Sequence, residues 1–293
     1  MTKKSDGKVG PWAKDKLEAL GQYLEFYTTA LKNQSWLQGT AFVDGFAGPG
    51  LSPVRAKKKQ IDGPTLFGPP DAEEVEFLKG SPRVALDIKT PFTSYVFIER
   101  DADRVAELKK LQGEYQGKRQ IDIRQGDANA EILNWLNARL DWKKYRSVIF
   151  LDPFGMQLPW STIEALAATG SIEVLINFPL DMAIQRTLTK SGEIPEAWQK
   201  RLGALFGAPD WRQLVYEESE DLFGSRPTKR KDSGDRLLNW YCDRLKKAFG
   251  HVSTARLIKN TRGNPLYYLI WAGPNKLGLK GAEYVLGRGE KLK

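Results

Sequence analysis

Cysteine and histidine occur once each, as Cys242 and His251, in a chain of 293 residues. One thiol cannot build a disulfide framework, and the Cys/His clusters that hold zinc are excluded with it, so no metal site is expected. A Ser-His-Asp triad would have to use His251, and no Gly-x-Ser-x-Gly elbow accompanies it. Long uncharged apolar runs are also missing, so no segment is expected to span a membrane. The opening Met-Thr-Lys-Lys-Ser-Asp-Gly-Lys lacks the apolar core of a secretion signal, and a cytoplasmic location is the expectation.

Positive charge, by contrast, is in excess. Lys and Arg number 45 against 36 Asp and Glu, a formal net charge of +9. It is clustered in Arg55 with Lys57, Lys58 and Lys59, in Arg226 with Lys229, Arg230 and Lys231, and in Arg288, Lys291 and Lys293. Any one run suits a solvated loop or tail. Three runs in a basic chain point to nucleic acid, DNA or RNA, as a partner. With 41% hydrophobic residues the chain can bury a core of its own.

Periodicity gives strands alternating with helices. An amphipathic helix is predicted over Trp12 to Leu31, with Trp12, Lys16, Leu20, Leu24 and Tyr27 at spacings of three or four. Strands follow at Thr40–Val43, Tyr95–Ile98, Ile121–Arg124, Ser147–Leu151 and Val174–Asn177. Helices are predicted over 102–111, 132–140, 163–168 and 235–249. Thr254–Ile258 and Tyr267–Trp271, joined by Thr261-Arg262-Gly263-Asn264-Pro265, read as an antiparallel hairpin. The expectation is one α/β domain over 1–293, a doubly wound, mostly parallel sheet of seven strands closed by that hairpin. Two connections, 51–94 after strand one and 185–233 after strand five, are far longer than ordinary βα loops and are expected to face the substrate.

Acids stand at four successive strand ends: Asp44, Glu99, Asp127 and Asp152. Taken singly, each could be a turn former or a helix N-cap. In open α/β sheets ligands bind beyond the carboxyl ends of the strands, where the strand order reverses, and all four acids would line that crevice. Glu99 can accept both hydroxyls of a ribose, Asp127 an adenine amino group, and Asp44 a cationic ammonium or a bridging water. Asp44 opens the turn Asp44-Gly45-Phe46-Ala47-Gly48-Pro49-Gly50, whose glycines allow close backbone approach. A dinucleotide fingerprint would need Gly-x-Gly-x-x-Gly running straight into a helix and an acid about twenty residues on. Here Pro49 and Pro53 intervene, and Glu99 follows only after the long connection. A phosphate cradle is poorly supported; S-adenosylmethionine, which carries no phosphate, suits a backbone turn and acids.

Asp-Gly-Phe-Ala-Gly-Pro-Gly resembles motif I of class I S-adenosylmethionine-dependent methyltransferases, and Glu99, Asp127 and Asp152-Pro153-Phe154 fall where the later motifs of that fold belong. Over nearly its whole length the chain resembles the three-Cys-motif partner protein family. The matching pieces are Gly-Pro-Trp-Ala-Lys-Asp-Lys-Leu, the glycine turn, Gly-Ser-Pro-Arg-Val-Ala-Leu at 80–86, Phe-Ile-Glu, Phe-Leu-Asp-Pro-Phe-Gly, Ile-Asn-Phe-Pro, and Pro-Leu-Tyr-Tyr-Leu-Ile-Trp-Ala at 265–272. The resemblance implies a methyltransferase-like fold with S-adenosylmethionine held by Asp44, Gly45, Phe46, Gly48, Gly50, Glu99, Asp127, Ala128 and Asp152. It also implies a separate partner protein bearing a three-cysteine, radical-enzyme-like motif.

Asp152-Pro153-Phe154-Gly155 is similar to the Asp-Pro-Pro-Tyr/Phe motif of methyltransferases acting on adenine, where the carboxylate holds the target amine and the aromatic ring stacks on an extruded base. Asp152 and Phe154 are therefore the expected transfer centre. A single proline and Gly155 depart from that motif and leave base specificity open. Cys242, in mid-helix, reads as structural rather than as a nucleophile for carbon methylation. Trp198 and Trp211 could stack bases or pack a core, and Trp240 reads as core. Two readings stand: a methyltransferase acting on nucleic acid, and a catalytically silent nucleic-acid adaptor of the same fold working with the three-Cys-motif partner.

Overall fold

The computed structural model describes residues 11–49, 80–138, 141–221, 224–260 and 262–287. Helix α1 (Pro11–Leu31) buries Leu20, Tyr23, Leu24 and Tyr27, a stripe at helical spacing. Five strands follow: β1 (Gly39–Asp44), β2 (Ser94–Glu99), β3 (Ile121–Gln125), β4 (Tyr145–Leu151) and β5 (Ile172–Phe178). Between them lie α2 (Ser81–Leu86), α3 (Ala102–Glu114), α4 (Ala128–Leu136) and α5 (Trp160–Ala168). The strand ends lie within one or two residues of the apolar runs that predicted them. Helix α4 starts earlier than predicted, at Ala128, because Asp127 caps it.

β1 to β5 are parallel in the order β3-β2-β1-β4-β5, and β10 (Pro265–Gly273) runs antiparallel beside β5. On the far side of β10 lie β8 (His251–Val252) and β9 (Arg256–Lys259). Val252 stands opposite Ala272 and Arg256 opposite Leu269, so these two pieces occupy one strand position, interrupted at 253–255. At the break Ser253 Oγ accepts the Trp271 N–H at 3.0 Å in place of a backbone carbonyl. The sheet thus has the seven strand positions and closing antiparallel pair expected, the arrangement of a class I methyltransferase-like Rossmann fold.

Both faces of the sheet are covered, so β4 and β5 are buried almost throughout and read as continuous apolar runs. The pleat sorts their side chains. Val43, Ile98, Ile149, Leu151, Val174 and Ile176 face one way, against α4, α5 and α8 (Ser233–Phe249). Phe42, Phe97, Phe150 and Trp271 face the other, under α1 and α9 (Lys276–Leu286). The helix α1 is seated on this aromatic side by Tyr27 stacked on Phe92 at 5.9 Å and by a buried acid, Glu173. Glu173 accepts from the Tyr23 hydroxyl and, at 3.3 Å, from Trp271 Nε1; burial pushes its carboxyl up to about 7.

Gly281 of α9 packs so closely on α1 that a Cβ there would collide with the Phe26 ring. Gly281→Ala is expected to cost about 1–3 kcal/mol by overpacking, read as a lower denaturant midpoint.

The 185–233 connection is not an open loop. After a π-helical turn (Leu180–Ile184) come α6 (Glu196–Phe206), α7 (Trp211–Val215) and a separate two-stranded ribbon of β6 (Tyr216–Asp221) and β7 (Gly224–Lys229). Trp211 packs into the core at 5% exposure, stacked on Phe206, so core packing decides its two readings. Trp198 is half-buried with the Arg201 guanidinium 4.9 Å from its ring, and Trp240 packs edge-on to Phe206 at 5.5 Å.

Two residues of the second basic run are engaged within the chain. Lys229 Nζ donates to the carbonyls of Gln185 and Leu188, both at 3.1 Å, and Arg230 pairs with Glu217 of β6 at 2.7 Å. The other two runs lie outside the described residues, as does most of the 51–94 connection. No helix among the described residues is long and apolar enough to cross a membrane.

Candidate cofactor and transfer site

The chain leaves β1 for β2 and β3 on one side and returns to β4 on the other, so the strand order reverses between β1 and β4. Ligands of doubly wound sheets bind at this point, beyond the carboxyl ends. Asp44 ends β1 level with Phe97 of β2 and Phe150 of β4; Glu99 and Asp152 project two residues further along those two strands. Asp127 follows β3. The four predicted acids therefore stand along one edge of the sheet, on four adjacent strands.

The turn after β1 is stitched into both neighbours. Gly45 N–H donates to the Phe150 carbonyl and Ala47 N–H to that of Ile98, each at 3.0 Å. A Cβ on Gly45 would press on Leu151 Cδ2 at 3.1 Å and Ile132 Cδ1 at 3.2 Å, so a larger residue there requires those methyls to shift by a few tenths of an ångström. Gly48 takes φ +62°, the left-handed region open to glycine. Phe46 is half-buried and packs with the aliphatic face of the sheet. Gly50 lies outside the described residues.

Asp44 is fully buried. Its Oδ1 accepts the Phe46 N–H at 3.2 Å, while Oδ2 has no partner in hydrogen-bond geometry. Burial pushes the carboxyl up to about 7, against the opposing pull of the Ser81 hydroxyl, the Phe46 N–H and the Lys16 ammonium. An unpaired buried carboxylate oxygen is costly, and a cationic ligand group is what would satisfy it.

Glu99 accepts the Asp101 N–H through Oε1 at 2.8 Å and holds Arg104 only at 3.7 Å through Oε2. The same Arg104 guanidinium lies 5.9 Å from the centre of the Phe154 ring. Asp127 is exposed and caps α4, its Oδ1 accepting from the N–H groups of Asn129 at 3.0 Å and Ala130 at 3.1 Å. Ala128, the buried first residue of that helix, sits at its N-terminus. Phe154 N–H donates to Gln157 Oε1 at 3.2 Å, and Gly155 turns the chain at φ +64°.

Asp152 is 6% exposed, and both its oxygens are taken. Oδ2 pairs with Lys16 Nζ at 2.6 Å, and Oδ1 accepts from Asn177 Nδ2 at 2.5 Å. Lys16 is buried on α1, its ammonium 5.4 Å from the Phe150 ring centre. Burial draws the Lys16 ammonium down to about 8, against the attraction of Asp152 and then of Asp44. Asn177, near the end of β5, is 3% exposed and its Oδ1 has no partner.

No protein-family model matches the chain, and no curated protein matches it. Solved structures resemble it at low identity. A Legionella pneumophila protein, LPL1258, is 12% identical over 97% of this chain and 96% of its own, with a TM-score of 0.45. A protein of Methanococcus maripaludis named for S-adenosylmethionine-dependent methyl transfer is 12% identical over 94% and 99%, with a TM-score of 0.30. The Escherichia coli protein YhhF, named as a methyltransferase, is 14% identical over 71% and 85%, with a TM-score of 0.29. The fold assignment rests on the strand order of the chain itself.

Two residues of this site carry no role in the sequence reading. Lys16 passed as one position of an amphipathic stripe; its signal is a lysine where the stripe calls for an apolar residue. Asn177 passed as the end of a strand; its signal is an amide closing an otherwise apolar run before Pro179.

Conversely, Cys242 and His251 stay outside the site. Cys242 lies on α8, where burial pushes its thiol up to about 12. His251 pairs with Gly273, at the end of the sheet where β5 begins.

Proposed function

We propose that this chain is an S-adenosylmethionine-dependent methyltransferase acting on nucleic acid. The observation that carries the reading is the buried, unpartnered Asp44 Oδ2 at the point where the strand order reverses. An α-ammonium group is the complement of that oxygen. Glu99, one strand away and only loosely paired through Oε2, would accept the ribose hydroxyls. Asp127 and the backbone N–H of Ala128 lie one strand further, where an adenine edge offers a donor and an acceptor.

When bound, S-adenosylmethionine supplies an electrophilic methyl group on a sulfonium. The residues of the chain bind and orient it: Asp44 fixes the charged end, Glu99 the sugar, and the stitched turn closes the backbone against it. The net charge of +9 supports a polyanionic substrate.

Calorimetry tests the cofactor assignment. Wild type is expected to bind S-adenosylmethionine and Glu99→Ala to bind it at least 10-fold more weakly, having lost hydrogen bonds to a charged acceptor. No heat with wild type sinks the assignment, and unchanged binding by Glu99→Ala removes the ribose contact.

The adaptor reading keeps one observation in its favour, that Asp152 is already fully paired by Lys16 and Asn177. In that reading the chain works with a three-Cys-motif partner protein, and cofactor binding without label transfer to DNA or RNA would support it.

A further inference from the structure

Leu151 and Ile176 pair across β4 and β5, which brings Asp152 and Asn177 side by side at the next position. A carboxylate oxygen only accepts, so the 2.5 Å contact with Asp152 Oδ1 assigns the near arm of the Asn177 amide as Nδ2. The other arm, Oδ1, is buried without a donor. Polar groups this deep are nearly always paired, and an orphan acceptor at the carboxyl ends of the strands is a place for a ligand donor. Asp44 Oδ2, the second orphan here, is also an acceptor. The ammonium of Lys16 already faces Asp152, so the pair is neutral and does not draw in a second cation. The transfer position is therefore built to receive an uncharged group that donates hydrogen bonds.

Other acceptor atoms fit the chain poorly. Carbon methylation through a covalent adduct needs a thiolate, and Cys242 is a half-buried thiol on α8, away from the strand ends. Methylation of a hydroxyl needs a free base; here Asp152 and Lys16 hold each other at 2.6 Å, Asp44 is committed to the cofactor ammonium in this reading, and His251 stands at the opposite end of the sheet. An amino nitrogen conjugated to a ring needs only its N–H bonds held and its lone pair aimed.

We infer that Asn177 holds the methyl-accepting group, an uncharged amino nitrogen such as the exocyclic amine of a base, by accepting one of its N–H bonds at Oδ1, while Asp152 is a positioning residue locked by Lys16. This rests on the methyltransferase reading. The nitrogen lone pair forms the new N–C bond as the S–C bond of the cofactor breaks. The bonding pair stays on sulfur, S-adenosylhomocysteine leaves, and one N–H proton passes to water.

The test uses the full chain, methyl-labelled S-adenosylmethionine, and four probes: poly(A), poly(C), poly(U) and oligo(dT). The first two carry exocyclic amines and the last two carry none. Label is expected on poly(A) or poly(C) alone, as an N-methyl nucleoside after digestion and mass spectrometry. Asn177→Ala is expected to lower transfer about 100-fold, the cost of misplacing a reacting group, with cofactor affinity unchanged within about 3-fold by calorimetry. Label on poly(U) or oligo(dT), a C- or O-methyl product, or wild-type rates from Asn177→Ala overturns the inference and leaves the methyltransferase reading standing. Cofactor binding without transfer to any probe overturns it in favour of the adaptor. Failure to bind the cofactor removes the methyltransferase reading, and the inference with it.

Discussion

Lys16→Met is expected to destabilise the chain by about 3–5 kcal/mol, the cost of leaving a buried charge without its partner. Asp152 is 6% exposed, and its remaining partner, the Asn177 amide, carries no net charge. Methionine fills the volume of the lysine stem but brings no charge. The double variant Lys16→Met/Asp152→Asn removes both charges together and is expected to recover most of the loss. A buried ion pair contributes little net stability over an uncharged replacement, although breaking one side of it is expensive. Urea midpoints of the wild type, both single variants and the double variant close the cycle and give the coupling directly. A Lys16→Met midpoint equal to wild type refutes the pairing.

Asp44→Asn is expected to abolish measurable binding of S-adenosylmethionine and to raise stability at pH 8. The sign follows from the carboxyl group. Its ordinary value is 3.8 and burial lifts it to about 7 in the folded chain. Between those values the folded chain keeps a proton that the unfolded chain has released, so stability falls as pH rises. Above pH 7 the cost is complete, up to about 4 kcal/mol at 1.36 kcal/mol per unit. Asparagine removes that cost, less what its new N–H loses for want of an acceptor. Thermal melts of the two proteins are expected to agree at pH 4 and to separate at pH 8, with the variant higher. Equal melting temperatures at pH 8 would show that Asp44 is not held charged at a cost. Cofactor affinity of wild type is expected to fall as pH drops below 7, as the carboxylate is neutralised.

Stability and function are thus opposed at Asp44 and aligned at Lys16, and the sequence showed only one of the two. Three of the four carboxylates at strand ends were legible because each follows an apolar run: Phe42-Val43 before Asp44, Phe97-Ile98 before Glu99, Phe150-Leu151 before Asp152. The mostly parallel character of the sheet was legible through the same runs, since strands buried on both faces have nothing to alternate. Lys16 was hidden because a lysine on a helix commonly lays its stem on the core and lifts its charge to water. Only the approach of Asp152, 136 residues away in sequence, shows the charge to be buried. The ribbon of β6 and β7 was hidden for the opposite reason. Its Tyr-Glu-Glu-Ser-Glu-Asp strand has no apolar alternation and pairs outside the main sheet.

The seating of α1 has a consequence for the order of assembly. Its ammonium waits for Asp152, and Tyr23 waits for Glu173 and for the edge of Trp271, 6.3 Å away. Gly281 of α9, which must admit Phe26, comes later still. Contacts this distant in sequence carry the greatest loop-closure entropy and are the slowest to form. During synthesis α1 therefore has no complete surface to dock on until residues beyond 280 have emerged. Its exposed apolar stripe in the meantime is a natural place for a chaperone to hold the nascent chain.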